Sequence, residues 1–550
     1  MSIEAEQAKE IWVQPGDPVH DGQTEVLPPV SGDGAGGGGT GGGAGGGGPT
    51  TASDKRPNYP GGLPGNATTA VTRLMCATAY LQAPFADDVS GTLLDPTAHA
   101  LVPNWGVDNL ALIRNVVRSR RKRIARDGQL GFVFVTSLVL IALSLGLTPT
   151  RAVSVVQAGV FLLLIVVAAW VVGFVIVFMH YDWIRTSALD MMNADLNPLD
   201  IGTPLDEEDE ARMVALNNAN VVVFPSYNPF VGFGHPLDTW NLTFDLQPAP
   251  GEEQVREFTP MDVHRHLLRD LKERTPDLWT GDIMFGNGAT VEKLKNPDGS
   301  MAVIPDPRVW TDWPASRVPQ EVVERYVNKP EENHRTYAVL ARTCWRGEIV
   351  VFALIRADRD GRKVFVEGRT HVLLPLRGTF REVKYAASFS RRTFTQVFWP
   401  ALKNTHWLLV GGLRRRMRRA YNIKMYIYEM KKLTRRLNRG DPHNYGVATS
   451  IREQAQAPEA MKYYATVDEV MYYRVLTRQM MSSLDHFLTG QGADLTEFRR
   501  QANEVINRTE VMLNDASKVE AAFGPQKTVR HTERGTMLQT GLGGPDNPGL

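Results

Sequence analysis

Two long apolar runs dominate the hydrophobic pattern of this chain. Neither the run from Gly128 to Thr150 nor the run from Ala152 to Met179 contains a charged residue. About 20 consecutive apolar residues are enough for a helix to cross the hydrocarbon core of a bilayer. Because only Arg151 separates the runs, the pattern predicts an antiparallel transmembrane helical hairpin over residues 128–180. The alternative is a buried helix pair in a globular core.

Basic residues lie almost entirely on one side of this hairpin. The loop between the spans contributes Arg151 alone, whereas the segment before the first span carries Arg114, Arg118, Arg120, Arg121, Lys122, Arg123 and Arg126. The positive-inside rule places such clusters in the cytoplasm. We therefore expect a two-span protein of the inner or plasma membrane with both termini cytoplasmic. Trp183 follows the second span as an expected interfacial aromatic residue.

The apolar runs also carry small residues at helical spacing. Ser154 and Ala158 form one pair four residues apart, and Ala169 and Gly173 form another. Such pairs allow close helix packing, either within one chain or between copies in a homo-oligomer. The runs contain no ionisable side chain of the kind that proton relays and ion pathways use. The hairpin is therefore interpreted as an anchor.

The two ends of the chain have the composition of disordered segments. Residues 1–65 are rich in glycine and proline, and residues 524–550 are similar. Such sequences bury too little apolar surface to offset their conformational entropy. The first thirty residues lack an apolar segment, so we expect no cleavable signal peptide. The arm is either a plain tether or a reach toward a cytoplasmic partner.

The segments on both sides of the hairpin predict folded cytoplasmic parts. Residues 66–127 have helical spacing and end in the basic juxtamembrane cluster. After a charged linker expected at 181–213, residues 214–392 alternate as strands do, with Gly-containing turns between the last three strands. Thr259, Pro260 and Asp262 signal the start of one helix. The overall fold class is therefore predicted to be α+β.

One aromatic segment of this domain is a candidate binding surface. Phe224, Tyr227, Phe230 and Phe233 lie close together among proline and glycine residues. This composition suits a groove for a peptide of a partner protein. The alternative, left open by the sequence, is a loop packed onto the domain for structural reasons.

Residues 393–440 combine apolar, aromatic and strongly basic positions. The apolar part is too short and too polar for a third full span. Together with the basic cluster before the hairpin, it suggests residues that meet anionic lipid headgroups at the membrane surface. RNA binding is the rival interpretation. The predicted membrane-surface residues are Arg120, Arg121, Lys122, Arg123, Trp183, Trp399, Trp407, Arg414, Arg415, Arg416, Arg418 and Arg419.

The C-terminal part, residues 441–523, predicts further helices. Thr466 with Glu469, and Asp494 with Glu497, have the spacing of helix-capping residues. An apolar stripe follows the first pair, from Val470 to Phe487. Such a stripe either packs within the domain or mediates self-association.

Candidate chemistry is sparse along the whole chain. Cys76 and Cys344 are far apart, which argues against a disulfide or a cysteine metal site. His264 and His266 lie two residues apart on a predicted helix, so they face different sides and do not share a metal. The GxG in residues 231–234 precedes strands, whereas a dinucleotide site needs a helix there. We predict no cofactor, metal or catalytic residue.

Several stretches together resemble a known group of proteins. They are the pre-membrane pattern from Ala79 to Arg123, SYNPFVGFG to TFDL (Ser226 to Leu246), Trp345 to Leu376 and YGVATSIRE (Tyr445 to Glu453). Their order resembles a family of uncharacterised actinobacterial two-span membrane proteins. The architecture is also similar to a membrane protein that docks cytoplasmic contractile injection systems. That similarity implies a docking role at the membrane, where firing of the particle mediates cell death.

These observations lead to three functional hypotheses. The first is a non-enzymatic membrane anchor or adaptor that recruits a cytoplasmic protein assembly, such as a contractile injection particle. The second is an oligomeric, stress-gated channel or pore with a cytoplasmic sensor domain. The third is an enzyme that acts on membrane lipids, with a site near residues 224–234. The anchor hypothesis is favoured because the spans lack polar groups and the cytoplasmic parts are large.

Overall fold

The computed structural model describes residues 69–94, 99–147, 155–289, 316–330, 332–381, 393–439, 441, 443–458 and 463–508. All of them belong to one compact unit, Gly61–Leu550. The predicted arm, the predicted tail and the loop between the spans therefore lie outside the described residues.

The helices of this unit are numbered in chain order. They are α1 (Ala70–Leu81), α2 (Ala83–Leu93), α3 (Asn109–Leu147), α4 (Val155–Met192), α5 (Pro198–Ile201), α6 (Glu207–Asn217), α7 (Pro260–Arg274), α8 (Gln320–Asn328), α9 (Thr393–Asn438), α10 (Ile451–Gln454), α11 (Tyr463–Gly490) and α12 (496–508). Helices α3 and α4 contain the two apolar runs and pack against each other as the predicted hairpin. Helix α3 begins in the polar segment before the first apolar run, and α4 ends in the polar segment after the second.

The strands form one mixed six-stranded sheet. They are β1 (Val221–Phe224), β2 (His235–Asp245), β3 (Trp279–Asn287), β4 (His334–Cys344), β5 (Ile349–Asp360) and β6 (Lys363–Leu373). Their order across the sheet is β1-β3-β4-β5-β6-β2, and only the β1–β3 pair is parallel. The predicted α+β class and the meander of β4, β5 and β6 are confirmed.

Apolar side chains cover both faces of this sheet. On one face, α7, α11 and α12 bury a core that includes Leu267, Leu484 and Phe498. On the other face, the rings of Trp105, Phe233 and Phe352 pack against one another in edge-to-face or tilted contacts, with ring centroids about 5 Å apart. The helices predicted as a separate C-terminal segment therefore complete the core of the sheet domain.

A second core surrounds the polar ends of α3 and α4. Helices α1, α2 and α6 pack there, with residues such as Leu74, Leu112 and Met191 fully buried. The stretch 181–213, expected to be a linker, is thus largely helical and partly buried. Its acidic residues do not oppose helix formation, because Glu207, Glu208, Asp209 and Glu210 occupy the first turn of α6, where negative charge is favourable.

The structure confirms one predicted helix start and corrects another. Thr259 and Asp262 form a reciprocal capping box at the start of α7. Thr466 and Glu469 do not cap a helix, because α11 begins at Tyr463 and both side chains are buried within it. A capping motif in sequence is therefore a start signal only when no helical residues precede it.

Candidate functional site

The most distinctive site of this fold lies where α9 crosses the hairpin. Helix α9 contacts both α3 and α4, and its buried residues Ala401 and Leu409 join Leu130 and Val177 in a small apolar core. The ring of Phe398 packs edge to face on Phe174 at 5.4 Å. One side of the apolar part of the 393–440 segment is therefore packed on the hairpin, and the same helix continues into the basic part.

Glycines make this crossing close. A Cβ on Gly412 would stand 3.1 Å from the backbone nitrogen of Gly131 and 3.2 Å from the carbonyl oxygen of Asp127. A Cβ on Gly173 would lie 3.4–3.5 Å from the side chains of Leu409 and Thr405. Gly412 thus lets the backbones of α9 and α3 touch, as small residues do between packed membrane helices.

One buried carboxylate organises the charged side chains at this crossing. Asp127 has a side chain that is 1% exposed. Its Oδ1 accepts hydrogen bonds from Arg126 at 2.7 Å and from Arg415 at 3.2 Å, and its Oδ2 pairs with Arg419 at 2.6 Å. Arg415 also donates to the carbonyl oxygen of Leu408 at 2.8 Å. Three guanidinium groups therefore surround one carboxylate, which leaves an excess of positive charge.

The comparison with protein families identifies the domain that carries α9. The family model for an AbeC-like domain matches residues 239–520, just over half of the chain. The chain belongs to the AbeC-like domain family. No curated protein and no solved structure matches this chain. The matched range contains α9 and excludes α3 and α4, so the crossing joins the AbeC-like domain to the hairpin.

A buried polar network makes a second connection between these two parts. Asn217 on α6 accepts from the backbone and side-chain amides of Asn109 and donates to Asp108, at 2.8–3.1 Å. Asn104 donates to Asn109 and accepts from the backbone amide of Arg452 in the AbeC-like domain. Each residue is at most 8% exposed. The network therefore ties the polar start of α3 to the domain core.

Arg452 is a residue whose role the sequence did not reveal. It is fully buried, and its guanidinium donates to the carbonyl oxygens of Glu348 and Leu374 at 2.8 and 2.7 Å. Burial lowers its pKa to about 10. The sequence offers one hint of this position. Ser450 and Glu453 have the spacing of a capping box, which fixes the first turn of a short helix, and Arg452 lies within that turn.

The predicted membrane-surface residues divide into two groups. The packed group includes Arg123, which is buried and donates to the carbonyl oxygens of Ala79 and Tyr80, and Arg120, which pairs with Asp87. Trp183 packs edge to face on Tyr80, under the cationic groups of Arg118 and Lys122. The other predicted residues that are exposed are Arg121, Lys122, Trp399, Trp407, Arg414, Arg416 and Arg418.

Arg123 is therefore buried and Trp183 is half-buried, and their contact with a membrane surface stays a prediction. Both face the second core, because α1 folds back along the polar start of α3 and covers this side of it. Arg415 and Arg419 are half-buried at the crossing and bind Asp127.

The predicted groove residues also separate in the structure. Phe230 and Phe233 lie in the loop between β1 and β2 and are buried against the sheet, where the ring of Phe230 packs on that of Phe285 at 5.3 Å. Phe224 is partly buried against the same core, and Tyr227 is 98% exposed. Three of the four rings therefore contribute to packing, as the loop alternative expected, and do not line an open groove.

The predicted helix-packing residues are described only in part. Gly173 faces α9, and Ala169 is half-buried one turn away. Ser154 lies outside the described residues, and so does the side chain of Ala158. Within the described ranges, no group of three or more His, Cys, Asp or Glu residues is placed to hold a metal ion.

Proposed function

We propose that this protein is a non-enzymatic anchor or adaptor of the inner membrane that recruits a cytoplasmic protein assembly. The observation that supports this most is the exposure of the hairpin. Only 11% of the most apolar window of each helix is buried, and side chains such as Phe132 and Leu163 are 73% and 63% exposed. Soluble proteins rarely expose so large a continuous apolar surface, whereas a bilayer covers it.

The lengths of these helices support a direct mechanical link between membrane and domain. Helix α3 has 39 residues, which corresponds to about 58 Å at 1.5 Å per residue. The hydrocarbon core is only about 30 Å thick, so much of α3 extends beyond it. The polar network at Asn109 and the crossing at Asp127 are both on this extension, about 27 Å apart along the helix. Two attachments hold the AbeC-like domain at a set position relative to the membrane.

Charge supports the proposed orientation of the hairpin. Arg120, Arg121 and Lys122 lie on the domain side of α3. Helix α9 adds Arg415 and Arg419 on that same side, where they pair with Asp127. Under the positive-inside rule this side is cytoplasmic. Both termini and the AbeC-like domain are then cytoplasmic, where an adaptor meets its partner.

The identity of the recruited assembly is the finer part of the proposal. The resemblance noted in the sequence names a contractile injection particle, and the match to the AbeC-like family adds no link to one. We retain the particle as the named candidate for an assembly that a rigid membrane-bound domain positions. The protein can therefore be a membrane anchor whether or not its partner is a contractile injection particle.

Recovery of partners from membranes tests this proposal. The tagged full-length chain is crosslinked in cells, extracted from membranes with mild detergent and purified, and its partners are identified by mass spectrometry. We expect a reproducible set of soluble proteins of one assembly, enriched over a tagged unrelated two-span protein. Recovery of the chain alone under all growth conditions would contradict recruitment. Recovery of the chain mainly from the soluble fraction would contradict the anchor.

A further inference from the structure

We propose that Arg126, Arg415 and Arg419 form a specific binding site for the phosphate group of an anionic lipid headgroup. The inference rests on the proposed membrane location and names a ligand for the crossing of α3 and α9. Its basis is the imbalance of charge around Asp127: three guanidinium groups lie within ion-pair distance of one carboxylate.

This imbalance is costly in a partly dehydrated setting. Arg126 and Arg415 have side chains that are only 12% and 23% exposed, and Asp127 is almost completely buried. Cations removed from water need anionic partners, and one carboxylate is shared here among three of them. A phosphate bound at this point would supply the missing negative charge and further acceptor oxygens.

Two neighbouring buried side chains, Arg123 and His180, also have polar atoms without a hydrogen-bond partner among the described residues. Arg123 and His180 are each 7% exposed. Arg123 Nη1 and His180 Nε2 are buried and have no hydrogen-bond partner among the described residues. One of these buried nitrogen atoms thus lies on α3, three residues before Arg126, and the other lies on α4, next to Tyr181.

The depth of the site suits a headgroup. Asp127 immediately precedes Gly128, where the charge-free run begins, so it lies where the chain enters the hydrocarbon. The lipid phosphates occupy the layer next to this boundary. Trp399 and Trp407 are exposed on the same helix α9, and tryptophan is a residue type enriched at membrane interfaces.

The site is open to such a ligand on one side. The side chain of Arg419 is 36% exposed, and it pairs with Asp127 through its Nη2 atom. A guanidinium group can hold phosphate oxygens through two parallel hydrogen bonds, which a lysine cannot do. Arg415 is held in place by Leu408, so it offers a preformed orientation.

Titration of the purified full-length chain with short-chain lipids tests the site. The protein in detergent is mixed with dioctanoyl phosphatidylglycerol, with dioctanoyl phosphatidylcholine or with inorganic phosphate. The readout is the concentration that produces half of the rise in melting temperature. We expect phosphatidylglycerol to act at a concentration at least about tenfold below phosphatidylcholine, because the choline cation competes with the arginines for the phosphate.

Two double variants separate a built site from general charge. Arg415→Gln with Arg419→Gln removes two site residues and should raise the half-effect concentration by roughly tenfold or more. Arg416→Gln with Arg418→Gln removes the same charge from exposed positions of the same helix, and should change it less than about threefold. Equal effects of the two double variants would overturn the site. If the first double variant does not fold, Arg419→Gln alone is compared with Arg418→Gln.

Asp127→Asn gives a test with the opposite sign. It removes the internal anion and increases the positive charge, so we expect phosphatidylglycerol to act at a lower concentration than in the wild type. A purely structural role predicts weaker or unchanged binding, which would overturn the proposal. Stabilisation by inorganic phosphate, with competition against phosphatidylglycerol, would support the same site with phosphate from solution. Loss of lipid selectivity in a protein that stays in membranes would leave the anchor proposal intact.

Discussion

Gly412 lies directly against Gly131, where the backbones of α9 and α3 meet at the hairpin. The position of a Cβ on Gly412 would be 3.1 Å from Gly131 N and 3.2 Å from Leu130 Cβ. These neighbours are a backbone atom and the root of a buried side chain, which cannot move away cheaply. The crossing therefore depends on the absence of a side chain at position 412.

We expect Gly412→Val to destabilise the protein by about 1–3 kcal/mol, because the added methyl groups force the two helices apart. The matched control is Gly128→Ala on α3, which has open space around its Cβ position and gains helix propensity. Thermal unfolding in detergent, followed by circular dichroism, measures both. A fall of equal size in the two variants would contradict the close crossing.

Asp127→Ala should cost about 3–5 kcal/mol, because it leaves the arginines of α3 and α9 without their shared carboxylate. Asp87→Ala is the comparison, since Asp87 pairs with Arg120 at an exposed position and should cost no more than about 1 kcal/mol. Chemical denaturation of the full-length protein in detergent gives both values. If removing Asp127 has as little effect as removing Asp87, the ion-pair cluster does not hold α9 on the hairpin.

The sequence was most informative where one physical requirement dominates a long segment. A charge-free run predicts a helix of the observed kind at α3 and α4, because a bilayer-length apolar segment has few other solutions. Alternation with turn glycines likewise located β4, β5 and β6. The capping residues Thr259 and Asp262 marked α7 correctly because their bonds are local.

The sequence was less informative about contacts between distant segments. The parallel pairing of β1 with β3 joins Val221 to Met284, and nothing in either strand indicates the other. Asp127 and Arg415 are similarly remote, and nothing in the basic run of α9 indicates that Arg415 and Arg419 also pair with this internal carboxylate. Phe230 and Phe233 have the composition of a binding loop, and only the fold shows that they are core.

Two aromatic substitutions test whether Phe233 is a core residue and Tyr227 a surface residue of the loop between β1 and β2. Phe233 is fully buried between the sheet and Trp105, so Phe233→Ala should cost about 3–5 kcal/mol. Tyr227→Ala should change the free energy of unfolding by less than about 0.5 kcal/mol, because its ring is exposed. Equilibrium unfolding monitored by tryptophan fluorescence compares them. A large loss from Tyr227→Ala would show that this ring packs against something.

His371 should make the AbeC-like domain sensitive to acid. Burial lowers its pKa to about 3, whereas an imidazole in the unfolded chain has a pKa near 6.5. Between these values the unfolded chain binds the extra proton, so stability is complete above pH 6.5 and falls as the pH drops. The expected loss is about 1.4 kcal/mol per pH unit in this range.

The variant His371→Leu isolates this contribution. It should flatten the fall in unfolding free energy between pH 6.5 and 5 by about 2 kcal/mol in total. The measured quantity is the difference in pH slope between variant and wild type, which is independent of any change in packing at one pH. Parallel slopes would contradict the neutral, buried state of this imidazole.

Membrane topology tests the central claim, a two-span anchor with a cytoplasmic AbeC-like domain. The two native cysteines are buried, and burial raises the pKa of the Cys344 thiol to about 11, so both should be poorly reactive. Thr148→Cys places a reporter for a membrane-impermeant maleimide in the loop between the two predicted spans. Tyr227→Cys places a second one at an exposed position between β1 and β2, strands of the same sheet as the AbeC-like domain.

We predict that Thr148→Cys is labelled in intact cells or spheroplasts, and that Tyr227→Cys is labelled only after the membrane is opened. The wild-type chain should remain unlabelled in both conditions. Labelling of Tyr227→Cys in intact cells, or recovery of the chain in the soluble fraction, would contradict the proposed anchor.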